Sequence, residues 1–552
     1  MNKHLFKHFK RYIIPPIILL SFLSLVSSGT SIFFAVYSKD AIDTAIAGDM
    51  KAFRFFAVVL ISIIALQLIV SAVNRYLTVL FSNKLYAKVS LDLYDILLDT
   101  RYDALSQYHS EDITNYFKTD LKIVSDRMIG ILPTIIFNVG RFLGAFIVLF
   151  LFDYQFALFL VALGVVLLLA ARLLQNPLKK LNVALLESVF EREAHINETF
   201  NHVDLAKTFN APIKKSKMKE KVTTAYKKSL KKERLYVLSQ FGITLFFGFG
   251  YLFALIFGAW RISTGLLSEG ELVSIMQLVQ NIQNPFSRMS TVMGQIIDLR
   301  SSLDRLTPII HLRKEEKHIH LDGFDTIKIS NLSFAYDDES PVLENINLEI
   351  KPGDIIYINA ASGRGKTTLF RVLLGLYQAD GIKVYKGYDE FNYYEVNNSL
   401  LAYVPQNSFL FQGSILDNLT LGTNYSIDQV IEACKLACIY DDIIKMENGL
   451  NTMLGEDGKG LSLGQSQRIA IARAILKDAP IFILDEISAS FDKETEDKVF
   501  KNIESLNKTL LISSHNLIPI NHNKEIILTG TDQNTNHNVK LEKESLNLEK
   551  GS

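Results

Sequence analysis

The sequence predicts a chain of two parts, a helical membrane domain followed by an α/β domain with a partly parallel sheet. Three observations predict it: six long apolar runs before residue 300, lysine-rich loops between some of them, and short β-rich runs alternating with helices from about Thr326. At 552 residues the chain is too long for one ordinary domain. The formal net charge is 0, so charge does not favour nucleic acid as a partner, and none is expected.

Each apolar run is long enough to cross the ~30 Å hydrocarbon core of a bilayer as a helix. Basic residues precede the first run, and the loops after the second and fourth runs are rich in lysine, so both termini are expected in the cytoplasm. The expected spans are Ile13–Ser38, Phe55–Ser82, Ile131–Phe152, Phe156–Leu174, Val237–Trp260 and Leu272–Ile297.

The long internal loops are predicted to be helical as well, because residues that break helices are missing from them. Neither glycine nor proline occurs from Asp49 to Ile129. From Leu178 to Phe241, Pro212 is the only residue of either type. A helix covering Lys51 to Leu105 would be about 80 Å long, far longer than the bilayer is thick. Runs two to five are therefore expected to continue into the cytoplasm as helical hairpins, with tips near Ser106–Asn115 and Asn201–Thr208.

The second part contains a strand, a glycine-rich loop and a helix in succession. Residues 354–367, DIIYINAASGRGKT, read as a buried strand that runs into a loop, and the apolar helix Leu369–Leu376 follows. This arrangement suits phosphate binding, because backbone N–H groups cradle the phosphates while Lys366 reaches the outer ones and the Thr367 hydroxyl holds Mg²⁺. Ala360 replaces the first glycine of the usual pattern, and alanine would cost about 1 kcal/mol there if the position required a positive φ.

A second buried strand, Ile481–Asp485, ends in two adjacent carboxylates. Asp485 could hold the Mg²⁺ shell, and Glu486 could polarise an attacking water. One acidic residue at a strand end is common, but two acidic residues that follow a phosphate-binding loop favour nucleotide hydrolysis.

Several further motifs resemble those of the ABC transporter family. The run 460–468, GLSLGQSQR, is similar to the family's signature sequence: it keeps Ser462 and Gly464, while Leu463 replaces a glycine. Gln406 follows Tyr-Val-Pro and resembles the Q-loop glutamine. Thr452–Gly458 resembles the segment that contacts membrane loops, and Ala489–Asp492 resembles the D-loop. His515 resembles the switch histidine, and Tyr336 resembles the aromatic residue stacked on adenine. In the first part, Val203–Phe209 resembles the second coupling segment of exporters.

The resemblance implies a six-span α-helical transmembrane domain with long cytoplasmic extensions over residues 1–310, and an α/β RecA-like P-loop ATPase domain over residues 311–552. It also implies that ATP and Mg²⁺ bind between the phosphate-binding loop of one chain and the signature of another. Glu486 would act as the general base, His515 as the γ-phosphate sensor, and Gln406 as the link to the membrane half. The expected nucleotide-binding residues are Tyr336, Ser362, Gly363, Arg364, Gly365, Lys366, Thr367, Thr368, Ser462, Gly464, Gln465 and Asp492, and the expected Mg²⁺ ligands are Thr367, Gln406 and Asp485.

The function implied by the resemblance is ATP-driven export across the cell membrane by a half-transporter that pairs with an identical or a different second half. An amphipathic small molecule, a lipid or a peptide could be the cargo. Two alternatives stay open: an importer with the exporter-type fold, such as a metal-chelate uptake system, and a weakly hydrolysing partner subunit.

A polar stripe along the sixth apolar run indicates a candidate cargo path. Its residues recur at three- and four-residue spacing, and polar side chains at membrane depth normally face a cavity or another helix. Alternatively, the lower part of this helix lies outside the bilayer. If Arg141 in the third run and Arg288 in the stripe both line the path, an anionic or amphipathic cargo is favoured. The stripe comprises Gln277, Asn281, Asn284, Arg288, Thr291 and Gln295.

Overall fold

The computed structural model describes residues 3–209, 212–315, 318–336, 340–360, 363–455, 458, 460–487, 491–514 and 520–528. The chain forms two compact units. The first comprises Met1–Leu98 and Tyr108–His311, and the second comprises Asp99–Gln107 and Leu312–Ser552. The boundary expected after residue 310 stays a prediction, and the short segment Asp99–Gln107 belongs with the second unit.

Long helices make up the first unit. In chain order the helices are α1 (Lys3–Ile46), α2 (Met50–Leu98), the short α3 (Tyr102–Leu105) of the second unit, α4 (Ser110–Asn115), a π-helical turn (Tyr116–Asp120), α5 (Leu121–Phe152), α6 (Tyr154–Asn201), α7 (Val203–Thr208), α8 (Pro212–Ser263) and α9 (Glu269–Ile310). Among the residues that the structure describes, four helical stretches are long and apolar enough to cross a membrane: 10–46, α2, 112–152 and 214–263. The count of six spans stays a prediction.

Apolar side chains of five helices form a buried cluster in the first unit. Ala35, Leu149, Phe156, Ala254 and Leu278 belong to it and come from α1, α5, α6, α8 and α9. Each of these helices must bury an apolar face against its neighbours, and the cluster is where those faces meet.

Charged residues near the ends of these helices form ion pairs. Arg261 lies 2.9 Å from Asp153, the residue that caps the N-terminus of α6, and Lys39 lies 3.0 Å from Glu271. Each of these charges therefore has a counter-charge within the first unit.

Helix α2 ends at Leu98 and does not continue to Leu105 as the lack of helix breakers suggested. The cause is a competing partner: the backbone of residues 99–101 bonds to that of residues 313–315 through two N–H···O bonds of 3.0 and 2.8 Å. The first tip therefore begins earlier than expected. The second tip lies where it was predicted, between the end of α6 and the short α7.

The second unit contains two main sheets, and the prediction of an α/β domain with a partly parallel sheet is confirmed. The strands are β1 (Thr326–Phe334), β2 (Leu343–Ile350), β3 (Ile355–Ala360), β4 (Ile382–Lys386), β5 (Asp389–Asn392), β6 (Leu401–Val404), β7 (Gly413–Ser414), β8 (Met453–Leu454), β9 (Ile481–Asp485), β10 (Thr509–Ser513) and β11 (Lys524–Leu528). The strands β2-β1-β4-β5 form an antiparallel sheet, β11-β3-β10-β9-β6 a parallel one, and β7-β8 a small ladder. The helices are α10 (Lys366–Leu373), α11 (Tyr393–Leu400), α12 (Ile415–Thr420), α13 (Ile427–Leu436), α14 (Tyr440–Ile444), α15 (Leu463–Lys477) and α16 (Lys493–Ser505).

The parallel sheet brings three chain segments to one edge. Strand β10 lies between β3 and β9, and Ser513 at its end is in register with Ile358 and with Asp485. Because the carboxyl ends of parallel strands meet at the same edge, the loop after β3 and the two carboxylates after β9 become neighbours. The fold thus assembles a site from segments far apart in sequence.

Candidate functional site

The glycine-rich loop after β3 needs glycine for two reasons. Gly363 and Gly365 have φ values of +78° and +94°, which residues with a side chain rarely adopt. A Cβ atom on Gly365 would also lie 2.9 Å from Leu343 Cδ2 and 3.2 Å from the carbonyl oxygen of Val342. The loop therefore lies close against the start of β2 and leads directly into α10, whose N-cap is Gly365.

Ala360 causes no backbone strain in this loop. It is the last residue of β3 and pairs with Leu528 of β11 in regular parallel register. Its φ is not among the positive values of the structure, so the cost considered for alanine at this position does not arise. The departure from the usual glycine pattern is compatible with an intact loop.

Lys366, Glu486 and Gln406, all predicted site residues, meet in one cluster. The buried Lys366 Nζ lies 3.0 Å from Glu486 Oε1, and Gln406 Nε2 donates a hydrogen bond to Glu486 Oε2. The φ of Glu486 is +50°, and its backbone N–H donates to the carbonyl of Ser513 at 3.0 Å. A non-glycine residue with positive φ is held there by its surroundings, as often happens at functional sites.

Asp485 lies beside this cluster, buried at the end of β9. Its carboxylate accepts hydrogen bonds from Ser513 Oγ at 2.7 Å and from the Tyr403 hydroxyl at 3.4 Å. Burial raises the pKa of Asp485, the bond from Ser513 opposes that rise, and the neighbouring Glu486 charge adds to it. A cation would offset this cost of burying a carboxylate.

The available donors fit a magnesium ion. Asp485 offers a carboxylate, Gln406 an amide oxygen, and Thr367 a hydroxyl at the exposed start of α10. Mg²⁺ takes oxygen ligands, and with few protein ligands it completes its shell with water and substrate phosphates.

An aromatic cluster borders the loop on its other side. The Tyr336 hydroxyl lies 3.1 Å from Thr368 Oγ1, and its ring packs edge-to-face against Phe334 and Tyr377, with centroids 5.0 and 5.2 Å away. The side chain expected to stack on adenine is therefore fixed at the start of α10. Tyr377 was missed in the sequence, and only its position just after the loop's helix could have pointed to it.

Tyr377 also contacts the segment Asp99–Gln107. Its ring packs edge-to-face on Tyr102 at 5.6 Å, and its hydroxyl donates to Ser106 Oγ at 3.4 Å. Next to it, Arg101 Nη1 donates to Gln378 Oε1 at 2.7 Å. One tyrosine thus touches both the residue expected beneath adenine and the segment that follows α2.

The signature residues form the N-terminus of α15. Ser462 is the N-cap, and it forms a capping box in which its hydroxyl accepts from the Gln465 N–H while Gln465 Oε1 accepts from the Ser462 N–H. Leu463 is 62% exposed, so its side chain is not needed for packing within this unit. The capping box stabilises the helix N-terminus, and the exposed Leu463 shows that this end of α15 is accessible.

Gln467 joins α15 to the hydrolytic cluster. Its buried Nε2 lies 3.5 Å from the carbonyl oxygen of Gln406 and 3.4 Å from that of Glu486. The sequence showed this residue within the signature run but gave it no role. The structure makes it a positioning residue for the backbone at both predicted catalytic positions.

The remaining predicted residues divide into two groups. Asp492 caps α16, accepting from the Thr495 N–H at 2.9 Å, and this bond lowers its pKa. Ser362, His515 and Ala489 lie outside the residues that the structure describes. Their predicted roles stay predictions.

Two protein-family models match the chain in succession. The model of the ABC transporter transmembrane region matches residues 17–286, and the model described as ABC transporter matches residues 343–489. The order of the two models is the order of the two parts that the sequence predicts.

Individual proteins resemble the chain over most of its length. A multidrug resistance ABC transporter ATP-binding and permease protein of Lactococcus lactis subsp. cremoris is 26% identical over 463 residues, which are 82% of this chain and 78% of the relative. An ATP-dependent lipid A-core flippase of Salmonella typhimurium is 25% identical over 492 residues, 87% of this chain and 84% of the relative. The structure of a bacterial Atm1-family ABC exporter with ATP bound has a similar fold, with a TM-score of 0.79 over 94% of each chain at 19% identity.

The two matching models, the order of the motifs and the cluster around Glu486 agree with one another. This chain belongs to the ABC transporter superfamily, as an exporter-type half-transporter in which a transmembrane region is fused to an ATP-binding domain.

Proposed function

We propose that the protein is an ATP-driven export half-transporter that moves an amphipathic small molecule, lipid or peptide out of the cytoplasm. It is a multi-pass membrane protein whose ATPase domain lies on the cytoplasmic side, and it hydrolyses ATP to drive transport. The observation that carries the proposal is the cluster in which Glu486 is held by Lys366 and Gln406 beside the buried Asp485.

The cluster indicates how the site would engage nucleotide. Lys366 Nζ lies 3.0 Å from the Glu486 carboxylate, so the outer phosphates of ATP would compete with that carboxylate for the same ammonium group. When ATP binds, its outer phosphates replace the carboxylate at Lys366, and Glu486 is released to accept a proton from the attacking water. Mg²⁺, held by Thr367, Asp485 and Gln406, would neutralise charge on the phosphates.

Two halves are needed, because the signature N-terminus at Ser462 and Gly464 would serve the ATP held by the other half. Donors at a helix N-terminus suit the γ-phosphate, and in this chain that N-terminus is already capped and formed. Closure around ATP would then move the membrane helices, a change that ATP drives by binding one state better than the other. The second half can be an identical or a different chain.

The decisive experiment is an ATPase assay of the purified chain in lipid. Glu486→Gln should lower the hydrolysis rate by at least about 100-fold, as expected for loss of a general base, while Mg-ATP still binds. Glu390→Gln removes an exposed carboxylate on β5 and serves as the matched control with unchanged activity.

A wild-type chain that neither binds nor hydrolyses Mg-ATP would contradict the proposal. A chain that binds ATP but hydrolyses it only with a different second half would favour the weakly hydrolysing partner subunit. Uptake of cargo into right-side-out vesicles, instead of its extrusion, would favour the importer.

A further inference from the structure

The charges within the predicted membrane spans are all of one sign. The six spans contain four charged residues, all of them arginines, and neither a carboxylate nor a histidine. An ionisable residue at membrane depth is expensive and usually marks a path for an ion or a substrate. The four are Arg75, Arg141, Arg172 and Arg288.

Arg141 has a different kind of partner from the charges at the helix ends. Arg261 and Arg305 pair with the carboxylates of Asp153 and Asp120. The half-buried Arg141 instead donates from Nε to the amide oxygen of Asn281 at 2.7 Å, and its guanidinium lies 5.8 Å from the Phe137 ring centre. These partners orient the guanidinium but do not neutralise it.

In the predicted topology, the position of Arg141 along α5 corresponds to a site deep in the hydrocarbon layer. It precedes the outer end of α5 at Phe152 by three turns, about 17 Å. Asn281 follows the outer end of α9 at Glu269 by about 18 Å, which agrees with their contact. Arg288 lies two turns further along the same side of α9, towards the cytoplasm.

An apolar groove lies beside Arg141, between α5 and α9. Its volume is about 170 Å³, and Ile135, Asn138, Phe142, Phe286 and Val292 are among the residues that line it. On α5, Asn138 lies three residues before Arg141 and Phe142 directly follows it. The Phe142 and Phe286 rings pack edge-to-face, with centroids 5.5 Å apart. The groove therefore offers apolar surface next to an oriented cation.

We propose that Arg141 and Arg288 form the cationic end of a cargo site that takes an amphipathic anion, whose apolar part lies in the α5–α9 groove. This inference rests on the proposed export function and adds the chemical class of the cargo. A carboxylate, sulfate or phosphate head would supply the counter-charge that the spans do not contain. The free-energy cost of removing such a head from water is offset only by pairing with a cation.

The test measures binding without nucleotide, using the full chain in nanodiscs of zwitterionic lipid. The probes are a dansyl-labelled medium-chain fatty acid and its uncharged methyl ester, followed by dansyl fluorescence. The wild-type chain should bind the acid saturably and about tenfold more tightly than the ester. Arg141→Gln and Arg288→Gln should each weaken binding of the acid about tenfold, a change of about 1.4 kcal/mol, and leave the ester unaffected.

Two further variants exclude trivial explanations. Arg75→Gln removes the same charge from α2, which contributes none of the described residues that line the groove, so it should leave binding of the acid unchanged. Arg141→Lys keeps the charge and should keep most of the preference for the acid, even if Arg141→Gln fails to fold.

Equal binding of acid and ester, no saturable binding of the acid to wild type, or an equal loss in Arg75→Gln would each overturn the inference. ATPase activity measured on the same samples separates the two proposals. An active ATPase without preference for the acid rejects only the cargo class, whereas an inactive wild type rejects the exporter itself.

Discussion

Lys366 in the ATPase domain and Arg141 in the membrane helices are both basic residues removed from bulk water, but they have different partners. Lys366 is paired with the Glu486 carboxylate at 3.0 Å, and Arg141 with the neutral Asn281 amide at 2.7 Å. The ATP site therefore contains its own anion, which a phosphate can replace. The membrane site contains a cation but, within the predicted spans, no carboxylate.

The different partners of Lys366 and Arg141 determine what happens to the charge of each site when a ligand binds. Exchange of one anion for another leaves Lys366 with a counter-charge throughout, so Lys366 can alternate between Glu486 and ATP without being left unpaired. Binding of an anion at Arg141 changes the net charge of the site, so the cargo itself contributes most of the neutralisation.

A carboxylate introduced beside Arg141 should remove the difference between the two sites. Asn281→Asp would place a carboxylate beside Arg141 and make the site resemble the Lys366–Glu486 pair. The affinity for the anionic dansyl probe should then fall about tenfold, as measured by the same titration in nanodiscs. Asn284→Asp places the same charge one turn along α9, four residues before Arg288, and tests the second arginine of the site.

If Asn281→Asp bound the anionic probe as tightly as wild type, the charge of Arg141 would not select the cargo. A smaller loss in Asn284→Asp than in Asn281→Asp would show that the guanidinium of Arg141, which Asn281 contacts, contributes more to binding than that of Arg288.

The aromatic contacts of the ATP site provide a second, smaller test. Tyr377→Leu removes the edge-to-face packing on Tyr336 and Tyr102, and each such pair contributes about 0.5–1.5 kcal/mol. With Tyr336 less firmly held, ATP should bind about fivefold more weakly in a titration with a fluorescent ATP analogue. Tyr388→Leu changes a fully exposed tyrosine and should have no effect.

Unchanged ATP affinity in Tyr377→Leu would mean that Thr368 and Phe334 are sufficient to hold Tyr336 in position. The contact with Tyr102 would then concern only the attachment of the segment Asp99–Gln107.

The smallest expected effect concerns the unusual alanine of the phosphate-binding loop. Ala360→Gly restores the usual pattern, but Ala360 already has an extended conformation in β3. ATP hydrolysis should change less than about twofold, and stability should fall by about 0.5–1 kcal/mol because glycine in a strand loses more conformational entropy. A large gain in hydrolysis rate would show that alanine restrains the loop.

Much of the fold could be predicted from the sequence, because apolar periodicity and helix breakers are local signals. The second hairpin tip was placed correctly for that reason. The end of α2 at Leu98 could not be predicted, because it depends on backbone bonds to residues 313–315, more than two hundred positions away. Tertiary partners override local propensity there.

The site shows the same division. Lys366, Asp485 and Glu486 could be predicted because motifs place them at strand ends, and parallel strands bring those ends together. The roles of Tyr377 and Gln467 could not be predicted, since they come from contacts across the unit, although Gln467 lies within the signature run and Tyr377 follows the helix of the loop. The harmless position of Ala360 likewise required its backbone conformation.

The attachment of residues 99–107 to the second unit has a practical consequence for producing the ATPase domain. A recombinant fragment that starts at residue 312 would lack the Tyr102 ring and expose the aromatic surface of Tyr377 to water. Exposed apolar surface of this kind promotes self-association. Soluble expression of that fragment should therefore improve when a peptide spanning residues 99–107 is supplied, or when Tyr377 is replaced by a polar residue.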